Sequence, residues 1–225
     1  MWLIIPVFFY YWQMIQVASF VFNDFQENTY ILWDHTKECV IIDPGCFTSS
    51  ENKLLEDYIS QNQLVPVKLV NTHCHIDHVL GNNFVSEKYQ IPLYLHEKEL
   101  ITYKEVGRWA AMFNINPGDI PQNRIYLNEG DELTFGESVL QTALTPGHSI
   151  ASLSFFNLEQ KIAIVGDVLF YESIGRTDLP GGNFETLISS IKTKLFNWND
   201  DTKIYSGHGP QTTIGHEKMF NPFLS

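Results

Sequence analysis

The sequence is short of cysteine, of basic residues and of long apolar runs, and each shortage removes a class of protein. Cys39, Cys46 and Cys74 are the three cysteines in 225 residues, and no CxxC pair occurs. An odd number without that spacing is neither a disulfide framework nor a thiolate zinc site. It suits a reducing compartment, and a cytoplasmic protein is expected. Lysine and arginine number 14 against 26 aspartates and glutamates, a formal charge of −12. Such a surface repels phosphate backbones, so nucleic acid is not an expected partner. The most apolar stretch, residues 1–13 (MWLIIPVFFYYWQ), is shorter than the roughly 20 residues a membrane span takes. It also lacks the basic start and small-residue cleavage site of a signal peptide. A second methionine, Met14, opens IQVASFVF, so residues 1–13 are read as an extension upstream of the natural start and 14–225 as the domain. No membrane partner is expected.

What is present is a core-forming pattern. Hydrophobic residues make up 44% and charged residues 18%, enough apolar surface for a sizeable core. Short β-rich runs bounded by turn residues lie near 15–22, 29–33 and 38–43, the last ending in Pro-Gly. A helix follows, capped by Ser49 or Ser50, with Leu54, Leu55, Tyr58 and Ile59 at helical spacing. Then come strand VKLVN, a helix from near His78 through Phe84 toward Lys88, strand IPLYL, and a helical stretch from Glu97 to about Phe113. The second half gives strands near 124–127, 132–135, 139–145, 152–157 and 161–165, a helix over 184–196, strand KIYS and a short terminal helix. No low-complexity linker divides the chain. Two β-rich halves, each with helices, predict a single α/β domain of two face-to-face sheets with helices outside.

The chemistry gathers in NTHCHIDH, residues 71–78, at the end of an apolar strand. Imidazole nitrogen and carboxylate oxygen both suit zinc or iron. His73 and His75, two apart at a strand end, can point to one side and grip one ion, while Asp77 and His78 lie past the turn and can face a second. Cys74 between the two histidines points the other way and is read as a packed thiol. Three further residues follow predicted strands with glycines beside them: His148 in TPGHS, Asp167 in IAIVGD and His208 in YSGHGP. Glycine lets the backbone turn sharply there, so that each side chain faces inward. Seven donors supply three or four per ion if Asp167 bridges, with a position left for water. His35 and His96 are read as loop or surface residues. His216 is read as a polar residue at a helix N-terminus, with the pocket rim as the alternative.

The order His73-x-His75-x-Asp77-His78, then His148, Asp167 and His208, resembles the metallo-β-lactamase superfamily. The resemblance covers nearly everything from Met14 onward and implies an αβ/βα four-layer sandwich with metals at one edge. Carried over residue by residue, it gives His73, His75 and His148 to a first ion and Asp77, His78 and His208 to a second. Asp167 then bridges, and Asp43 in IIDPG supports the ligands from behind. The β-lactamases proper lack an aspartate where Asp167 stands. The segments DVLFYESIGRTDLPGG (167–182) and SGHGPQTTIGHE (206–217) look like short type II glyoxalase-like, hydroxyacylglutathione hydrolase-like, proteins. Arg176 aligns with a family cation that holds the glutathione glycine carboxylate; a surface ion pair with Asp178 is the alternative. Full-length type II glyoxalases also carry a C-terminal helical domain with basic residues for glutathione, which has no counterpart in this sequence.

The resemblance therefore implies a metallo-hydrolase that cleaves a small-molecule thioester of the hydroxyacylglutathione type. Its cofactors would be two divalent ions, zinc first and iron or manganese as alternatives, and Asp77 would be the catalytic carboxylate. Two rival readings remain: a persulfide dioxygenase with one iron, whose sister group shares the GRTD segment, and a metal-stabilised scaffold without turnover.

Overall fold

Strand β2 (Glu27–Trp33) shows how the layers arise, because its side chains alternate between two buried environments. Tyr30 and Leu32 pack with Val40, Ile42, Leu133 and Phe155 between two sheets, while Ile31 turns outward to Leu55 and Leu69. The same division runs along β10, where Ile162 and Ile164 face the inter-sheet core and Ala163 and Val165 face the other way. Both faces of these strands are covered, which is why they read as continuous apolar runs rather than alternating ones. Each such leucine or isoleucine removed from water contributes about 1.5–3 kcal/mol.

The computed structural model describes residues 14–224, so the expectation for residues 1–13 falls outside the described residues. The first sheet runs β1 (Gln16–Phe22), β2, β3 (Glu38–Ile42), β4 (Val65–Val70), β5 (Leu93–Leu95) and β6 (Arg124–Tyr126), in that spatial order. Its first three strands are antiparallel and β3 to β6 are parallel. The second sheet contains β7 (Glu132–Phe135), β8 (Ser138–Leu144), β9 (Leu153–Asn157), β10 (Ile162–Gly166), β13 (Lys203–Ser206) and β14 (Thr212–Thr213), ordered 14-13-10-9-8-7. A two-stranded ribbon, β11 (Leu169–Phe170) and β12 (Ser173–Ile174), lies between β10 and the later helices.

Helices α1 (Ser49–Gln61), α2 (Ile76–Val79), α3 (Asn82–Tyr89) and α4 (Glu99–Met112) pack on the outside of the first sheet through Leu55, Ile59, Val79, Val85, Tyr103 and Val106. Helices α5 (Phe184–Thr193) and α6 (Ile214–Phe220) cover the second through Leu187, Ile191 and Ile214. The result is the αβ/βα sandwich.

Three local expectations are corrected. The α1 cap is Thr48, not Ser49 or Ser50: its hydroxyl accepts from Glu51 N at 3.2 Å, and Glu51 returns to Thr48 N at 2.9 Å. That reciprocal box needs an acid three residues after the cap, and Glu51 has this spacing from Thr48 alone. The helix expected from His78 toward Lys88 breaks in two at Gly81, where the chain crosses Pro44 so closely that a Cβ would lie 2.8 Å from its carbonyl oxygen. The helix over 184–196 ends at Thr193 and tightens into a 3₁₀ turn at Leu195–Asn197.

Candidate metal centre

Four strand ends meet at one edge of the sandwich, and each delivers donors. After β4 the chain runs through His73 and His75 into the single turn α2, which carries Asp77 and His78. His148 follows β8, Asp167 follows β10, and His208 follows β13. Glycine is required at several positions here, and two show why. Gly166 turns at φ 53 beside Thr72, and a Cβ on Gly207 would sit 2.0 Å from Asp167 Oδ1. All seven sequence-predicted donors arrive at this edge.

Their hydrogen bonds fix which atom each histidine turns inward. A backbone carbonyl only accepts, so His148 Nδ1 donates to Arg176 O at 2.8 Å and His208 Nδ1 to Gln26 O at 3.1 Å. His78 Nδ1 donates to Asp43 Oδ2 at 3.1 Å. The Thr72 hydroxyl donates to Asp43 Oδ2 at 2.5 Å, which leaves its lone pair for His73 Nδ1 at 3.1 Å. Four histidines thus present Nε2 to a common space, and the groups behind them set both tautomer and ring orientation. Asp43, buried and at φ 49, also accepts from Thr72 N at 2.7 Å. Its oxygens are committed to these donors, although a carboxylate oxygen also lies within 4.8 Å of ligand nitrogens on His73 and His78.

Two donor groups result. His73, His75 and His148 bring one nitrogen each within 4.8 Å of one another, with His75 Nδ1 2.8 Å and His73 Nε2 3.2 Å from His148 Nε2. Asp77, His78 and His208 form the second group on the same criterion. Asp167 stands between them: Oδ2 lies 3.5 Å from both His148 Nε2 and His208 Nε2, and Oδ1 lies 3.4 Å from His78 Nε2.

Electrostatics separates the groups. Burial and the neighbouring His78 hold His73 well below the ordinary histidine range, and burial with His148 pushes His75 down to about 3. Burial works against charge on His78 too, but Asp77 and Asp167 outweigh it and raise its pKa well above the ordinary value. His208 is raised in the same way, its burial outweighed by Asp77 and Asp167. His78 Nε2 and Asp167 Oδ1 are buried without a hydrogen-bond partner. Buried polar atoms are seldom left so. A divalent ion bound by imidazole and carboxylate would satisfy both, and the chain carries the donors for it.

The other candidates sort plainly. Cys74 is fully buried in the core, with its thiol pushed well up by burial. Arg176 forks onto Asp178, Nε to Oδ1 and Nη2 to Oδ2 at 2.7 Å each, and lies at the cavity beside the donors. His35 is exposed in a turn, whereas His96 is in a loop as expected but nearly buried, its Nδ1 accepting from Lys98 N at 3.1 Å. His216 sits in the first turn of α6 and meets Glu172 Oε1 at 3.0 Å, away from the cavity lining.

Sequence reasoning missed Glu99. Its fully buried carboxylate accepts from Cys74 N at 2.9 Å, Ser149 Oγ at 2.7 Å and Ala151 N at 2.8 Å. It therefore ties the loop of His73 and His75 to the loop of His148. A signal was present, since Glu99 shares its helix stripe with Tyr103, Val106 and Ala110, and an acid on an apolar stripe needs a buried partner.

Known proteins carry the same architecture. The chain is 38% identical over 203 residues to the hydroxyacylglutathione hydrolase GloC of Haemophilus influenzae, an alignment covering 89% of this chain and 94% of that one. The crystal structure of BLEG-1, a B3 metallo-beta-lactamase, superposes with a TM-score of 0.81 at 34% identity, over 93% of this chain and 100% of that one. The di-iron-bound form of TTHA1623 gives 0.82 at 34% identity, over 92% and 100%. Residues 22–208, which hold every donor named above, match the model of the metallo-beta-lactamase superfamily, and with the sandwich and its paired donor groups in place the chain belongs to that superfamily of metal-dependent hydrolases.

Proposed function

We propose that the chain hydrolyses a thioester of the hydroxyacylglutathione type with two divalent ions, zinc first and iron or manganese as alternatives. The observation that carries this reading is the position of Asp167, within 3.5 Å of donors from both histidine groups. His73, His75 and His148 would hold one ion, Asp77, His78 and His208 the other, with Asp167 shared. When bound, such ions supply a nucleophilic water at neutral pH and a Lewis acid for the carbonyl. The chain's own residues do the rest. Asp43 and the carbonyls of Gln26 and Arg176 keep the imidazoles oriented. Asp77, whose Oδ2 is 3.1 Å from His208 Nε2, faces the cavity and is placed to accept a hydrogen bond from the attacking water. A thiolate leaves without a strong acid, and no side chain is needed for that role. The similarity to GloC supports the thioester, and the TTHA1623 form supports iron as a competitor to zinc.

Asp77→Ala tests the reading: thioester turnover is expected to vanish and elemental analysis to show at most one metal per chain. Full turnover with two metals in that variant overturns it. The similarity to BLEG-1 favours a second reading, β-lactam hydrolysis. Turnover of a chromogenic cephalosporin at a rate matching the thioester's would favour it over the first.

A further inference from the structure

The donors form one wall of a cavity of about 530 Å³, and the remaining walls are largely hydrocarbon. They include Phe25 from the β1–β2 turn, Trp109 and Phe113 from the end of α4, and Phe170, Ile174 and Leu179. Phe25 and the half-exposed Phe113 meet edge to face with centroids 5.1 Å apart, joining the turn to the helix beside the cavity. Among the described residues the lining contains one lysine or arginine, Arg176, whose Nε and Nη2 are held by Asp178. Lys98 at the cap of α4 and Lys104 and Arg108 within it are exposed and do not line the cavity.

Glutathione brings two carboxylates and an ammonium. In a chain of formal charge −12, the one Lys or Arg lining the cavity among the described residues already holds Asp178, so those carboxylates must compete with it for the guanidinium, and desolvating a charge left unpaired is costly. An apolar group meets the opposite situation, since six large hydrophobic side chains offer it cover within one molecule's length of the donors. We infer that the cavity takes the acyl side of a thioester bearing a hydrocarbon or aryl group larger than lactoyl, and that the charged ends of glutathione contribute little to binding. This rests on the thioester reading above and narrows it. The reaction itself is unchanged: water adds its oxygen to the acyl carbon, the carbon–sulfur bond breaks, and acid and thiol are released.

The test uses the zinc-loaded full chain and one neutral thiol, N-acetylcysteamine, carrying acetyl, lactoyl, butyryl, hexanoyl or phenylacetyl groups, with lactoylglutathione alongside. Burying a methylene is worth about fourfold, so kcat/KM is expected to rise at least about thirtyfold from acetyl to hexanoyl. Lactoylglutathione should stay within about threefold of lactoyl-N-acetylcysteamine. Trp109→Ala should flatten the acyl series, and Phe113→Ala, at a half-exposed position that leaves the core intact, should flatten it less. A flat series in the unmodified chain, or a gain of tenfold or more from glutathione, overturns the inference. Calorimetry with S-hexyl-N-acetylcysteamine, its S-methyl counterpart and S-hexylglutathione separates the two claims. If no thioester is hydrolysed yet hexyl binds at least tenfold tighter than methyl, with glutathione adding nothing, the cavity assignment stands and the thioesterase reading fails. If S-hexylglutathione binds tenfold tighter than the neutral hexyl thioether, the cavity assignment fails whatever the reaction.

Discussion

Strand β2 begins at one buried carboxylate, Glu27, and ends beside another, Asp34, and the two ends of the sandwich treat them oppositely. Asp34 is fully supplied: Thr36 N donates at 2.9 Å, Thr36 Oγ1 at 2.5 Å, Glu137 N at 2.8 Å and Ser138 Oγ at 2.9 Å. Burial pushes its carboxyl up, yet these bonds outweigh burial and hold it below the ordinary range. Glu27 is as buried but has one oxygen without a partner, and burial, only partly offset by His78, raises its pKa well above the usual value. Its neighbours His78 Nε2 and Asp167 Oδ1 are also orphaned. The unpartnered oxygens and nitrogen of Glu27, His78 and Asp167 gather at the donor edge, whereas the Asp34 carboxylate at the opposite end is fully bonded to protein.

Asp167 is the sharpest place to break this contrast, because it serves both donor groups. Asp167→Ala should lower kcat/KM by about a thousandfold, several kcal/mol of transition-state stabilisation, and leave no more than one metal per chain by elemental analysis. Retention of both metals would remove the reason for treating its orphaned oxygen as a ligand.

Asp43 comes next, since it orients His78 directly and His73 through Thr72. Asp43→Asn keeps the shape and is expected to weaken metal affinity by about 10–100-fold in a chelator competition. An unchanged affinity would mean the imidazoles need no support from behind.

Glu99→Gln should act more gently and selectively. One of the three donors it now satisfies would face an amide N–H, at a cost of about 1–3 kcal/mol. The visible band pattern of the cobalt-substituted protein should change, reporting a displaced His73–His75–His148 group. A spectrum identical to that of the parent would reduce Glu99 to a folding role.

The smallest effect belongs to the far end. Asp34→Asn should cost about 1 kcal/mol in urea unfolding at pH 7 and leave kcat/KM unaltered. Because the folded carboxyl is held low, its contribution is complete above the unfolded pKa of about 3.9 and fades as pH falls through the lower folded value. Parent and variant should therefore converge in acid. A gap that persists there would show that the bonds to Asp34 do not depend on its charge.

Much of this was readable from residues because it is local. Apolar runs closed by glycine and an acid or histidine placed β8, β10 and β13 and their donors within a few residues, and HxHxDH needed one strand end and one turn. What escaped depends on contacts across the fold. Gly81 breaks a helix because Pro44, distant in sequence, lies against it, and no propensity encodes that approach. Thr48 displaces its serine neighbours because of Glu51. The short strands β11, β12 and β14 have too few residues for any period to show. Glu99 meets its partners only after two loops have converged, so its acid on an apolar stripe was legible while its role was not.

The seam between the layers carries one more consequence. At the donor edge Asn28 N donates to Gly207 O at 2.7 Å, Asn28 Nδ2 to Ser206 O at 3.0 Å, and Tyr30 Oη to Ser206 O at 2.6 Å, so the first sheet is stitched to the second beside His208. Any breathing that parts the two sheets at this edge must undo those stitches and carry His208 with it. The Asn28 amide is thus a built-in gauge: the protection of its proton against exchange with solvent deuterium measures the free energy of parting the sheets at the donor edge.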